Sequence, residues 1–311
     1  MMQSIPWNGQ RISSPGLYSG IPLTDYHRGD ICDGPSMSSS GLRKLWQTSP
    51  QHFWDESPLN PNCKPPKDSE AFILGRATHH LLCGEVGFAE QYIIRPAEAP
   101  DGRAWNGNNK TCIKWLADAA KAGKTVLTAD MVEAIRGMAV SLGKRPLVMN
   151  GILSGSVERS LFWRDPETGV WLKARPDFIP TDSGEFSDLK TTDSVLYKDT
   201  QRSIDNYGYN QQGALVLEGA RALGLETSSF TLVWVEKNRP YCAREQTLKD
   251  EDLARGTKQN RVMLRTFADC FSNKSWPGPG DDRDDAEYVD MSEQARKRID
   301  DRLQFQLREA A

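Results

Sequence analysis

The feature that most constrains this chain is a run of three short β-type segments: residues 156–163 (SVERSLFW), 170–179 (VWLKARPDFI) and 184–192 (GEFSDLKTT). Their separators, DPETG and PTDSG, are hairpin-like turns, so the centre of the chain is expected to form a small antiparallel meander. Side chains two residues apart on a strand share a face, which sets Asp188 beside Lys190. Counted outward from a turn at Asp182-Ser183, Asp177 falls opposite Asp188, with a bulge shifting this by one residue. The earlier turn, near Glu167, brings Glu158 close to Pro176 and Asp177. Spacing alone therefore gathers Glu158, Asp177, Asp188 and Lys190 at one end of a sheet.

Carboxylates packed together repel one another, and one of them is expected to protonate unless a cation intervenes. Hard oxygen ligands suit Mg²⁺, with Mn²⁺ as a substitute. Such an ion lowers the pKa of a bound water and neutralises charge on a phosphoryl oxygen. Lys190 beside it would orient that water or stabilise developing negative charge. The competing reading is that these are solvated polar groups on the open face of a sheet, where an Asp-x-Lys pair contributes little.

The flanks read as helix and loop. Residues 1–36, rich in Gly, Pro and Ser, are expected as an extended N-terminal arm. Ser38 to Ser40 precede a short helix ending near Pro50, and a helix is expected from Ser69 to Cys83. On that helix Gly75 and His79 share a face at i, i+4, and His80 follows directly. Gly75 favours His79 over His80 as the residue facing the sheet, because it allows close approach there. Helices are also expected at 111–122 and 129–143, with Thr128 or Asp130 capping the second. A helix from about Tyr207 to Leu223, a strand over 229–237 and a helix over 247–272 complete the core. The fold class is α/β (α+β), a small mixed sheet with an antiparallel meander flanked by helices, with helical N-terminal additions.

The Gly/Asn-rich loop at 95–110 carries Arg103, Trp105 and Lys110, which would reach phosphates or bases if the loop faces nucleic acid and would otherwise be solvated. AKAGKT (120–125) is no phosphate loop, because Asp118 stands where the Walker pattern needs glycine. Net charge is −3, but residues 281–311 hold ten acidic and six basic residues, leaving +1 on residues 1–280. Any nucleic-acid site is therefore a local groove and not a global basic field. No stretch approaches the roughly 18 apolar residues of a membrane span, and no signal peptide is evident. The six cysteines form no CxxC pair, so neither a zinc knuckle nor an iron–sulfur cluster is expected, and reduced thiols in a cytoplasm are.

Read in order, the motifs carry a family resemblance. Gly75 to His79 (GRATH), Glu158, Arg175-Pro176-Asp177, Asp188-Leu189-Lys190 and Tyr209-Asn210-Gln211-Gln212 resemble the PD-(D/E)xK nuclease superfamily, with its restriction-endonuclease-like core, in its RecB-like branch. The likeness is greatest to the RecE-type (exonuclease VIII-like) exonucleases of phages and prophages, and runs from about Met37 to Lys237. It implies three parts: the arm at 1–36, a nuclease domain over 37–274, and an acidic linker with a C-terminal helix over 275–311. It implies His79, Asp177 and Asp188 as metal ligands, with the Leu189 carbonyl a further one and Glu158 positioning a metal or its water. Lys190 is then the catalytic lysine and Gln212 the motif glutamine, with Gln211 its neighbour. The branch usually has tyrosine four residues after that glutamine, where this chain has Val216. Arg175 and Tyr209 join Arg103, Trp105 and Lys110 as candidate DNA contacts. The implied activity is a Mg²⁺-dependent 5′→3′ exodeoxyribonuclease acting on double-stranded DNA ends. The implied partners are a single-strand annealing recombinase and further copies of the chain in a tetrameric ring. A related endonuclease, a single-strand exonuclease and an inactive DNA-binding scaffold are the alternatives.

Overall fold

The structure is a computed structural model and describes residues 3–64, 69–85, 87–157, 159–181, 183–281 and 284–309. The N-terminal part holds β1 (Ile5–Pro6), β2 (Gly16–Ser19), α1 (Leu23–Tyr26), β3 (Ser36–Ser38), α2 (Ser39–Gln47) and α3 (Pro50–Glu56). Pro50 ends one helix and opens the next. It cannot continue the first helix but suits the first position of a helix whose cap, Ser49, accepts from the His52 amide. A helical layer follows: α4 (Glu70–Leu82), α5 (Phe88–Gln91), β4 (Tyr92–Ile94), α6 (Lys110–Lys121), β5 (Thr125–Leu127), α7 (Ala129–Leu142) and α8 (Pro146–Met149). Ser69 caps α4 and Thr128 caps α7, each accepting an amide three residues on. The core strands and helices are β6 (Arg159–Arg164), β7 (Trp171–Ala174), β8 (Glu185–Thr192), α9 (Tyr197–Tyr207), α10 (Tyr209–Ala222), β9 (Ser229–Glu236), β10 (Ala243–Thr247) and α11 (Asp250–Asn273).

β6 and β7 pair antiparallel, and an isolated antiparallel bridge between Phe178 and Ser187 continues the meander to β8. That bridge has the register counted from the sequence. β8 then pairs in parallel with β9, with α9 and α10 as the crossover, and β10 lies antiparallel on the far side of β9. The arm is part of the sheet. β2 pairs with β6 and β3 pairs with β7, giving the order β1-β2-β6-β7-β3. Alternate side chains of the 171–175 segment hold it there. Trp171 donates to Asp33 at 2.6 Å, Lys173 to the Tyr26 carbonyl at 2.7 Å, and Arg175 to the Ile21 carbonyl at 2.8 Å.

β9 is buried on both faces, as the middle strand of its sheet must be. Its even residues Leu232 and Trp234 join Leu42, Leu45, Leu215, Leu264 and Phe267 in a core under α2, α10 and α11. Its odd residues Val233 and Val235 join Ala77, Leu127, Ile135 and Met138 in a second core under α4 and α7. The chain divides into two compact units, Met1–Trp276 and Pro277–Ala311, and α12 (Glu293–Glu309) belongs to the second. No helix among the described residues is long and apolar enough to cross a membrane.

Candidate active site

β8 lies at the edge of its sheet, and the site is built on that edge. The Leu189 amide faces away from β9 and donates to Asp177 Oδ2 at 2.7 Å. In an extended strand the carbonyl of a residue points the same way as its amide, so the Leu189 carbonyl lies on this edge too. α4 crosses the same region. A Cβ built on Gly75 would sit in ordinary contact, 3.5 Å from Thr191 Oγ1, so the helix packs closely on β8 without requiring glycine on steric grounds.

The choice between the two histidines is resolved by direction. His79 turns Nδ1 to Asp177 Oδ2 at 3.3 Å, whereas His80 is buried against Phe88 and Tyr92 with Nδ1 on Glu85. The two glutamines divide in the same way. Gln212 donates to Asp188 Oδ1 at 2.6 Å, and Gln211 turns into the core to Asn260 at 3.1 Å. Lys190 Nζ lies 2.5 Å from Asp188 Oδ2 and 4.7 Å from the centre of the Tyr209 ring.

The electrostatics follow from this crowding. For His79, burial works against the charged form, but the Asp177 and Asp188 carboxylates together outweigh it and raise the pKa. Asp177 is half-buried, and burial works against its charge, yet His79, Lys190 and the Leu189 amide hold its pKa below the usual range. Asp188 goes the other way: burial and the neighbouring Asp177 together push it up, against Lys190 and His79. Burial disfavours the Lys190 ammonium, but Asp188, Tyr209 and Asp177 more than compensate, so it is held as a cation.

The donor set fits a divalent cation. Among the described residues, Gln212 Oε1 is buried with no partner, and Asp188 Oδ2 is buried with the Lys190 ammonium beside it. Asp177 and the Leu189 carbonyl add hard oxygens on the same edge. One further ligand type is present that the sequence reading did not find. Cys83, one turn beyond His79, offers its Sγ within 4.8 Å of a His79 nitrogen and an Asp177 oxygen. Its only signal is the i, i+4 spacing, which has meaning once the direction of His79 is known.

The remaining candidates stand as follows. Glu158 lies outside the described residues. Tyr209 is the ring under Lys190, and it also packs on Trp234. The guanidinium of Arg175 is engaged with the arm, as described above, so it serves the fold. Arg103 pairs with Asp101 at 2.6 Å, Trp105 packs edge-on against Trp115 with Arg95 over its ring, and Lys110 opens α6. That loop is an organised element anchored by Asp101 and Asn109.

This edge, with its two aspartates, its lysine and the supporting helix, defines a nuclease of the PD-(D/E)xK class. More particularly, residues 38–290 match the model of the PDDEXK-like domain of unknown function (DUF3799), and the chain belongs to that family. Among solved structures, a presumed exonuclease from Eubacterium rectale superposes with a TM-score of 0.56 at 15% identity, over 83% of this chain and 91% of that one. An alkaline exonuclease from Laribacter hongkongensis gives a TM-score of 0.25 at 12% identity, over 54% and 87%. None of the curated proteins matches the chain.

Proposed function

We propose that the chain is a Mg²⁺-dependent exodeoxyribonuclease that degrades linear double-stranded DNA, in the 5′→3′ sense, to expose single strands for recombination. The observation that carries the reading is the Asp188 carboxylate, pinned between Gln212 and Lys190 on the strand edge where the Leu189 amide holds Asp177. Asp177, Asp188, the Leu189 carbonyl and His79 would hold the cation, which supplies Lewis acidity at the phosphoryl oxygen and acidity to a bound water. Lys190 is kept protonated by its neighbours, so it acts as a fixed positive charge and hydrogen-bond donor and not as the base. Tyr209 sets the height of that ammonium, and Gln212 fixes the rotamer of Asp188. The exonuclease name of the Eubacterium rectale protein, which shares the fold, agrees with this reading. The expected partners are a single-strand annealing recombinase and further copies of the chain arranged as a ring on DNA.

Linear and covalently closed circular duplexes incubated with Mg²⁺ test it. Loss of the linear form alone, abolished by Lys190→Ala, is the expected result, and end-labelled substrates then give the polarity. Cutting of the circle would move the assignment to an endonuclease on the same site. Digestion of neither form, with Mn²⁺ also tried, would reject the reading.

A further inference from the structure

We propose that His79, Cys83 and Asp177 form a binding site for a thiophilic divalent cation of the zinc class. Its occupation would exclude the hard cation on which the proposed nuclease depends. The binding half of this inference stands on the geometry alone, and the inhibitory half rests on the functional reading above.

Three observations carry it. First, the three ligand atoms lie within 4.8 Å of one another, and an imidazole, a thiol and a carboxylate make a mixed set that zinc accepts in tetrahedral sites. Second, the spacing is fixed by the backbone. The Cys83 amide still donates to the His79 carbonyl at 2.8 Å, so the last turn of α4 is intact and both side chains leave the helix on one face. Third, Asp177 is held in place by the Leu189 amide, so the site needs little rearrangement to close on an ion.

Cys83 is also a member of the apolar cluster around Ala77, Phe178 and Leu189, and an inert core thiol is the alternative. What distinguishes this thiol from the rest of that cluster is that its sulfur lies within 4.8 Å of both an imidazole nitrogen and a carboxylate oxygen. The chemistry then separates the two ion classes. Mg²⁺ takes oxygen ligands and gains nothing from sulfur, whereas a thiolate favours zinc strongly. Binding breaks the Cys83 S–H bond, forms a sulfur–metal bond and releases the proton to solvent, with no change in oxidation state. A ligating imidazole nitrogen has a single lone pair, so zinc held by His79 deprives the hard cation of that ligand.

Co²⁺, a spectroscopic stand-in for Zn²⁺, is titrated into the full chain. The expected result is a sulfur-to-cobalt charge-transfer band in the near ultraviolet, bleached by Zn²⁺ and lost in Cys83→Ser. X-ray absorption at the zinc edge on the unsubstituted protein reads the same sulfur ligand, so the test survives if the variant folds poorly. In the nuclease assay, the Zn²⁺ concentration for half-inhibition should rise at least about tenfold in Cys83→Ser, each rate taken relative to that variant's own uninhibited rate. A wild-type protein with no sulfur band, or a band unchanged in Cys83→Ser, overturns the site. A Cys83-dependent band in a protein that digests no DNA would uphold the site and reject the nuclease reading instead.

Discussion

Two aspartates one turn of hairpin apart are driven in opposite directions by their surroundings. Asp177 accepts an amide and faces an imidazole, while Asp188 is more deeply buried and feels Asp177 itself. A carboxyl whose pKa is raised on folding favours the fold below its unfolded pKa and loses that contribution as pH rises through the folded value. Ionised Asp188 is therefore a cost at neutral pH, and a bound cation removes it. Chelation with EDTA should accordingly lower the melting temperature more at neutral pH than at a pH acid enough to protonate Asp188, where a proton takes the cation's place. Equal shifts at the two values, by scanning calorimetry, would remove Asp188 from the ligand set. Asp188→Asn should abolish both the Mn²⁺-induced stabilisation and activity. Lys190→Ala should keep the stabilisation and lose about 10²–10³ in kcat, because it removes a charge beside the reacting phosphate and not a ligand.

At the scale of elements, the site depends on how α10 is seated. Gly208 adopts φ 61° and separates α10 from α9, a helix the sequence reading did not anticipate, so that Tyr209 and Gln212 stand on the first turn of a new helix aimed at β8. α11 presses that turn into place. A Cβ built on Gly256 would lie 2.4 Å from the Asn210 carbonyl, and Asn260 exchanges hydrogen bonds with Gln211 at 3.1 and 2.9 Å. Gly256→Ala should therefore destabilise the protein by about 1–3 kcal/mol in urea unfolding. It should also lower kcat, because the shift reaches Gln212. Unchanged stability would mean that α11 is not the support described here. The pairing of Asp177 with Asp188 was legible in the sequence because a two-residue period and a short turn fix it almost alone. The choice of Gln212 over Gln211 came from the family resemblance and not from periodicity, because it depends on a kink whose direction only the packing of α11 decides. β10 was missed for a related reason: AREQT carries no alternation of apolar residues and is held by its pairing with β9.

In the whole molecule, the largest departure from what the sequence suggested is the arm. Gly, Pro and Ser mark residues 1–36 as irregular, and nothing local reveals that β2 and β3 flank the meander on its two sides. The information lies in the partner strand. Trp171, Lys173 and Arg175 alternate along one face and each donates to the arm. Tyr18 and Tyr26 pack around Phe162 in a third core that also holds Trp171. A chain begun at Met37 would bare the edge of β6 and uncover this cluster, leaving Lys173 with no carbonyl to donate to. It should be recovered mostly as aggregate, or melt at least several degrees lower. A soluble truncated chain with an unchanged melting temperature would show that the arm adds nothing to the fold.

The edge strand has a consequence for those who would silence the enzyme. An unpaired β edge is an invitation to a passing strand, and here part of that invitation is withdrawn by chemistry: the Leu189 amide is already taken by Asp177. Asp177→Ala, a natural choice for trapping uncut DNA, frees that amide and leaves an apolar side chain beside it. An inactive protein made this way would be a more adhesive one, and Asp177→Asn, which keeps an acceptor for the amide, is the better trap.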